Sequence, residues 1–243
     1  MFVRVNRHKK AAMKKIGLIG GLSWVSTAEY YKRLNEITQS RLGGVSSARI
    51  AMESVNRQQY VEAVIERGDE TAACAQIFDA VKGVERAGAD FVVISCNDVH
   101  RFVPEIAPQI DIPFLHIAEP TASAINAKGL SAVSLLGVRK TMEGQFYPEI
   151  FTTHGIETVV PNEDERAYVH DKIYDELVLD RFTEETRDGY LNVIRQLTKR
   201  GAEGVVLACT EIPLLLSPEQ IPVPSFSTTE LHCHAAVAKA TEV

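Results

Sequence analysis

Residues 86–98 read RAGADFVVISCND, and residues 199–211 read KRGAEGVVLACTE. At an offset of 113 residues, the two stretches share a Gly, an Ala, two Val and a Cys. Each runs from a glycine typical of a helix end, through an apolar segment typical of a buried parallel strand, to a cysteine. Gly20 and Gly137 repeat at a similar offset of 117 residues. The chain is therefore predicted to contain two similar halves of about 110 residues each.

Both halves alternate short apolar segments with amphipathic ones. Strands are predicted to open the two halves, with the sequences KIGLIG at residues 15–20 and AVSLLG at residues 132–137. The sequence STAE at residues 26–29 predicts the capped start of a helix, and residues 114–117 are expected to form a further core strand. Strands that alternate with helices in this order favour a parallel, doubly wound α/β sheet.

Composition excludes several classes of partner. The 243-residue chain carries 26 Lys and Arg against 32 Asp and Glu, a formal charge of −6, and is 45% apolar. These values are typical of a globular protein with a substantial core, and the negative charge argues against a nucleic-acid partner. No apolar run approaches the roughly 18 residues of a membrane-spanning helix, so no membrane partner is expected.

The N-terminal segment and the cysteines indicate a compartment. Residues 1–13 are largely polar and basic, and no long apolar stretch follows them. They are predicted to be a disordered or loosely ordered extension, and the sequence leaves open whether they belong to the native protein. The four cysteines show no CxxC pair and no disulfide-scaffold spacing. We therefore expect reduced thiols and a cytoplasmic protein.

Two of these thiols occupy equivalent positions in the repeat. Cys96 and Cys209 each follow a predicted strand and precede a helix. Because ligands of open parallel sheets bind at the carboxyl ends of the strands, both thiols are expected in one cleft, where the helix N-termini would favour thiolates. One thiol could remove a proton from carbon while the other delivers a proton to the opposite face, as in a racemase or epimerase. Two structural cysteines, or a disulfide between them, are the alternatives.

The motifs that surround these thiols resemble a known family. The sequences IGLIGG at 16–21, SCN at 95–97, LHI at 115–117 and ACTEI at 208–212 are similar to those of the aspartate/glutamate racemase family, and above all to bacterial amino-acid racemases of broad aspartate/glutamate type. The likeness covers residues 14–243. It implies two pseudo-symmetric Rossmann-like domains with the active site in the cleft between them. Residues 14–115 plus 224–243 would form the first domain, and residues 116–223 the second.

The resemblance also implies an activity and its residues. It implies racemisation of a small-molecule amino acid without pyridoxal phosphate, another cofactor or a metal, and it leaves a homodimer open. Cys96 and Cys209 would be the catalytic acid and base. Asn97 and Thr210 would hydrogen-bond the substrate, or its developing enolate-like carboxylate, through side chains and backbone N–H groups.

Further residues are candidates for binding the carboxylates of an acidic amino acid. The glycine-rich loop at residues 20–24, which contains Ser23, offers backbone amides ahead of a helix. Arg57 resembles the family's arginine for the side-chain carboxylate, and a solvated surface arginine is the alternative. Thr141 is predicted either to bind a carboxylate or to cap a helix. Trp24, the only tryptophan, is a candidate to close over the site.

Three positions depart from the family pattern. Many relatives have Thr where this chain has Asp98, a carboxylate that could repel an acidic substrate, act on the thiol as Glu211 could in the other half, or simply start a helix. Ala167 stands where some relatives have a lysine, for which Arg166 or Lys172 could substitute. Ser227 stands where relatives often have Asp.

The sequence therefore predicts a cofactor-independent racemase of aspartate, glutamate or both. Three alternatives stay open: a hydantoin racemase or a maleate isomerase of the same fold, and a non-catalytic protein that binds a small ligand. No metal site is predicted, because His232 and His234 of the HCH triplet would point to different faces of a helix. The preferred amino acid and the thiol that serves each enantiomer are undetermined at this level.

Overall fold

The computed structural model describes residues 13–242, so most of the predicted N-terminal extension lies outside the described residues. Residues 16–127 contain, in order, β1 (Ile16–Gly20), α1 (Trp24–Leu42), β2 (Ile50–Ser54), α2 (Arg57–Val61), α3 (Glu70–Arg86), β3 (Phe91–Ile94), α4 (Val103–Ile106) and α5 (Ala118–Ala127), and of these α5 packs in the core of the second half. A π-helical turn at Glu62–Glu66 follows α2, and 3-10 turns occur at Asp98–Phe102 and Ala107–Gln109.

The second half repeats the pattern. It contains β4 (Ala132–Leu136), α6 (Arg139–Glu143), α7 (Phe146–Thr153), β5 (Glu157–Val159), α8 (Glu163–Asp175), α9 (Glu184–Lys199), β6 (Gly204–Leu207), α10 (Ile212–Leu215), β7 (Ser225–Ser227) and α11 (Thr228–Thr241). Two further 3-10 turns lie at Leu177–Leu179 and Pro218–Gln220.

The strands form two parallel sheets, with the orders β2-β1-β3 and β5-β4-β6-β7. β1 and β4 hold equivalent places, and each pairs on one side with the strand that leads to a cysteine: Ile19 is in register with Ile94, and Leu136 with Leu207. Every residue of β1, β3 and β6 is buried, as expected for strands with helices on both faces. These sheets confirm the predicted α/β class.

The C-terminal segment is divided between the two halves. We expected residues 224–243 in the first domain, and α11 does pack against α1, where Cys233 and Val237 share a core cluster with Leu18 and Leu34. β7, however, pairs with β6, with Phe226 in register with Val206, and so belongs to the second sheet. The edge of β6 has free backbone N–H and C=O groups, and β7 forms hydrogen bonds with them. Local sequence does not reveal this pairing. The remaining domain boundaries stay predictions.

Two other expectations are corrected. Residues 114–117 form only a bridge between Phe114 and Val92, because the carbonyl of His116 already accepts a hydrogen bond in the turn that leads into α5. α1 begins at Trp24, before the predicted STAE cap, because the hydroxyl of Ser23 accepts the N–H of Ser26.

The loop after β1 is held against the loop after β2. Gly21 has a φ of +86°, and a Cβ atom there would lie 2.1 Å from the carbonyl oxygen of Val55. Only glycine fits such a conformation and such a close approach. This contact fixes the start of α1, including Ser23, next to the start of α2. Across residues 13–242, no helix combines the length and the apolar character needed to span a membrane.

Candidate active site

A small pocket lies where the carboxyl ends of the central strands of both sheets meet. Its cavity volume is about 80 Å³, which corresponds to roughly six water molecules and suits a small molecule rather than a polymer. All nine side chains predicted for the site line this pocket: Ser23, Arg57, Cys96, Asn97, Asp98, Thr141, Cys209, Thr210 and Glu211. The fold thus brings together residues that are up to 188 positions apart.

Both predicted thiols are free and reach the pocket wall, each from one half of the molecule. Cys96 follows β3. Cys209 follows β6 and donates a hydrogen bond of 3.0 Å from Sγ to Oε2 of Glu211. Each thiol has an acid two residues later, but only Glu211 bonds its thiol.

The pKa values of both thiols are raised, whereas the sequence analysis expected them to be lowered. Burial, and then the negative charge of Asp98, raise the pKa of the Cys96 thiol to about 12. Burial and the Glu211 carboxylate raise the pKa of Cys209 well above its ordinary value. The helices that follow the thiols, a 3-10 turn and the four-residue α10, are too short for their dipoles to offset these effects.

This setting predicts slow alkylation of the thiols in the free protein. With a pKa of about 12, only about one Cys96 in ten thousand is a thiolate at pH 8, so its reaction with iodoacetamide should rise nearly tenfold per pH unit from pH 7 to pH 10. Asp98→Asn removes a charge that raises this pKa and should speed alkylation of Cys96 at pH 8 by roughly tenfold. Peptide mass spectrometry over time measures both rates. Cys96 that reacts as fast as free cysteine would contradict the prediction.

Glu211 is the centre of a buried hydrogen-bond network. Its side chain is 4% exposed, and its carboxylate accepts hydrogen bonds from Ser23 Oγ at 3.1 Å, Ser26 Oγ at 3.1 Å and Thr210 Oγ1 at 2.7 Å, besides the Cys209 thiol. A buried carboxylate without a cation is tolerated where such donors surround it. Ser23 and Ser26 belong to the first half, so the network also ties α1 to the second thiol loop.

Asp98 forms an ion pair with a neighbouring arginine. Oδ1 of Asp98 lies 2.6 Å from Nη1 of Arg101, and Oδ2 accepts a hydrogen bond of 3.1 Å from the hydroxyl of Tyr60. Arg101 also pairs with Glu70, which in turn pairs with Lys140 of the second half. Arg101 offsets part of the Asp98 charge, so Asp98 opposes an acidic ligand less than an unpaired carboxylate would.

Two predicted carboxylate ligands have unused donors. Arg57 makes no hydrogen bond or ion pair to any described residue, and its guanidinium carbon lies 5.9 Å from the centre of the Tyr174 ring across the pocket. Of the residues lining the pocket, Arg57 alone carries a permanent positive charge. The hydroxyl of Thr141 is fully buried and has no partner in the described part of the chain. Thr141 is the third residue of α6 and does not cap it.

Asn97 lines the pocket with an amide that is already engaged. Its Oδ1 accepts a hydrogen bond of 2.6 Å from the hydroxyl of Tyr147, and its Nδ2 donates to Oγ1 of Thr228 at 3.2 Å. The expected contact of this amide with substrate therefore has only its remaining N–H and lone pair available.

Other candidates lie away from the pocket. Arg166 pairs with Glu163 and Lys172 with Glu176, and neither lines the pocket, so the described contacts do not place them as replacements for the missing lysine. Trp24 is 76% exposed and lines a neighbouring groove instead. Ser227 caps α11.

The histidine triplet forms no metal site with other side chains. His232 is buried and hydrogen-bonds Tyr30 and the carbonyl of Leu115, whereas the side chain of His234 is 58% exposed. Within residues 13–242, no group of three or more His, Cys, Asp or Glu side chains is arranged to hold a metal ion.

Among the polar residues that sequence reasoning missed are five of the site and its surroundings. Ser26 could have been found, because it belongs to the quoted STAE cap beside the glycine-rich loop. The others lie in helices whose local sequence carries no sign of the site, and only packing places them there: Tyr60, Tyr147, Tyr174 and Thr228.

Known proteins resemble this chain over most of its length. Residues 19–236 match the family described as Asp/Glu/Hydantoin racemase. The broad specificity amino-acid racemase RacX from Bacillus subtilis (strain 168) is 22% identical over 229 residues, which cover 93% of this chain and 96% of RacX.

Solved structures of similar proteins share the fold of this chain. A candidate Asp/Glu racemase from Yersinia pestis is 38% identical with a TM-score of 0.88, and the alignment covers 95% of this chain and all of that one. An aspartate racemase homologue from Pyrococcus horikoshii OT3 is 28% identical with a TM-score of 0.81, at the same coverage. The resemblance inferred from the sequence motifs is thereby confirmed. Since the family match spans most of its length, this chain belongs to the Asp/Glu/Hydantoin racemase family, a family of isomerases.

Proposed function

We propose that the protein is a cofactor-independent racemase of aspartate, glutamate or both, and that Cys96 and Cys209 exchange protons with Cα. One observation carries the proposal: equivalent strand ends in the two halves direct one free thiol each into the same small pocket. A pocket that only binds a ligand has no need of two symmetric thiols. A cytoplasmic location and a homodimer remain predictions that accompany this proposal.

The reaction needs one thiolate and one thiol. The thiolate takes the proton from Cα and becomes a thiol, and the electron pair of the broken C–H bond moves into the carboxylate to give an enolate-like intermediate. The other thiol then gives its proton to the opposite face of Cα and becomes a thiolate. The amino acid is inverted, and the two sulfurs have exchanged roles. Exchange with solvent protons resets them.

The raised thiol pKa values fit this chemistry. A base is stronger when its conjugate acid has a higher pKa, and Cα–H is a very weak acid, so a buried thiolate is better matched to it than an exposed one. The same raised pKa values leave only a small fraction of either thiol deprotonated before substrate binds. The ammonium group of a bound amino acid would stabilise the thiolate, and Glu211 is the nearest acceptor for the proton of Cys209.

The pocket contains separate donors for two carboxylates. Arg57 supplies an unpaired guanidinium, which can bind a carboxylate through two hydrogen bonds. Thr141 supplies an unpartnered hydroxyl from the other half. An amino acid with a carboxylate side chain uses both sets, whereas a neutral hydantoin ring would leave the guanidinium unpaired.

The same observations argue against two of the alternative functions. Asp98 was the main support for a non-catalytic binding protein, because a free carboxylate beside Cys96 would oppose an acidic substrate. Its ion pair with Arg101 weakens that objection. The unpaired Arg57 favours an acidic substrate over a hydantoin.

Proton NMR in D₂O tests the proposal. Reduced protein, free of metal and pyridoxal phosphate, is incubated with L-aspartate or L-glutamate while the Cα–H signal and the product chirality are followed. We expect loss of the Cα–H signal together with formation of the deuterated D-isomer. Folded protein with titratable free thiols that exchanges neither acid would refute the acidic substrate class.

A further inference from the structure

A buried chain of hydrogen bonds connects the two thiol loops. The hydroxyl of Tyr147 donates to Oδ1 of Asn97 at 2.6 Å, Nδ2 of Asn97 donates to Oγ1 of Thr228 at 3.2 Å, and Oγ1 of Thr228 donates to the carbonyl oxygen of Leu207 at 3.1 Å. Tyr147 and Thr228 are fully buried, and Asn97 is 5% exposed. The chain has a consistent direction, since each hydroxyl and the amide N–H donates to the next acceptor.

Two members of this chain lie beside the two cysteines. Asn97 is the residue after Cys96, and Leu207 comes two residues before Cys209. Thr228, the first residue of α11, stands between them and bonds both. The second contact ends on a backbone carbonyl, so a shift of Thr228 moves the main chain at the end of β6.

The polar link between α1 and the second thiol loop is of a different kind. Ser23 and Ser26 reach the side chain of Glu211, which has rotatable bonds between its carboxylate and the main chain. That link orients the carboxylate that bonds Cys209. The Asn97–Thr228–Leu207 link contains one short amide and one β-branched side chain, so it constrains the distance between the loops more tightly.

We propose that Thr228, with Tyr147 behind it, is a positioning residue that sets the separation of the Cys96 and Cys209 sulfurs. The inference rests on the proposed racemase function, because only a reaction that uses both thiols on one carbon is sensitive to that separation. Neither residue needs to touch substrate for this role.

The geometry predicts an effect that a general loss of structure would not give. Removal of the Cα proton uses one thiol, whereas inversion also needs the second thiol in place on the opposite face. If the loops drift apart, the carbanion is reprotonated by the thiol that formed it. In D₂O that thiol acquires deuterium, so the substrate is recovered deuterated with its configuration retained.

The experiment compares inversion with exchange in Thr228→Val, which keeps the shape and removes the hydroxyl. Initial rates of D-isomer formation and of deuterium entry into recovered L-isomer are measured by NMR and chiral chromatography. We expect kcat for inversion to fall by roughly tenfold to a hundredfold, as misplacement by about an ångström can cause. Exchange with retention should rise at least about tenfold relative to inversion, while KM stays within about threefold.

Two further variants and a control complete the test. Thr228→Ser keeps the hydroxyl and should restore the wild-type ratio, and Tyr147→Phe should shift the ratio in the same direction as valine. Tyr147→Phe decides the question if Thr228→Val does not fold. Thr38→Val is the matched control, because Thr38 is equally buried but bonds only the carbonyl of Leu34 in its own helix.

The outcomes separate this inference from the proposed function. If the wild-type protein racemises and folded Thr228→Val and Tyr147→Phe keep its ratio of exchange to inversion, the positioning role is refuted and the racemase stands. The positioning role is also refuted if exchange and inversion fall by the same factor. If the wild-type protein neither exchanges nor inverts any amino acid offered, the proposed function fails and this inference fails with it.

Discussion

Replacing either Cys96 or Cys209 with alanine is expected to lower racemisation by at least about a thousandfold, because each direction of the reaction needs both a base and an acid on opposite faces of Cα. The loss should appear in kcat rather than KM, since the thiols act on the reacting carbon and contribute little to ground-state binding. Enantiomer conversion, followed by circular dichroism from both L- and D-substrate, gives both constants.

The single variants should also assign a thiol to each enantiomer. A variant that keeps one thiol still has a base on one face, so slow Cα–H exchange with D₂O should survive for one enantiomer only. Cys96→Ala and Cys209→Ala are expected to retain exchange with opposite enantiomers. Residual exchange with the same enantiomer in both variants would contradict a two-sided site.

Cys74→Ala is the matched control for these substitutions. Cys74 is a free thiol in the core cluster of the first half and does not line the pocket. Its removal should leave racemisation within about twofold of wild type, with a modest loss of thermal stability from the smaller side chain. Full racemisation by either pocket-cysteine variant, with normal activity in this control, would exclude the two-thiol mechanism.

Replacing Arg57 with methionine is expected to lower kcat/KM for aspartate and glutamate by roughly tenfold to a hundredfold, the effect of losing a hydrogen-bonded charge pair of about 1.5–3 kcal/mol. The guanidinium is unpaired in the empty pocket, so the substitution breaks no internal ion pair and should leave the fold intact. Steady-state kinetics with both acids measure the effect, and a thermal melt checks the fold.

Two further variants test whether the effect of Arg57→Met comes from the lost guanidinium in the pocket. Arg57→Lys keeps the charge but loses the two-pronged geometry, so it should recover only part of the activity. Arg49→Met removes an exposed arginine that does not line the pocket, and it should behave as wild type. An Arg57→Met variant that retains wild-type kcat/KM for both acids would show that the guanidinium does not bind the substrate side chain.

Several features of this protein could be predicted from local sequence. The repeated glycine–apolar–cysteine pattern indicates two parallel β-α halves, because strand burial and helix ends leave periodic signatures in the chain. The position of each cysteine after a strand then predicts a shared pocket, since parallel sheets present ligands at the carboxyl ends of their strands. The nine predicted side chains meet in one pocket for this reason.

Other features depended on contacts between distant parts of the chain. The helix N-termini predicted lowered thiol pKa values, but burial and the carboxylates of Asp98 and Glu211 dominate because the following helices are very short. The hydrogen bond that Asp98 accepts from Tyr60, 38 residues away, is likewise indicated by no motif around Cys96.

The link between the thiol loops could not be predicted from the sequence. Local sequence determined that each half would carry a thiol to the end of a buried strand, because hydrophobic periodicity and turn residues act over a few positions. Only the tertiary structure decided how those thiols are charged and spaced. The amide of Asn97 is held by Tyr147 and by Thr228, which is 131 residues away. Such contacts depend on the packing of both halves at once, and a pattern read along the chain does not contain that information.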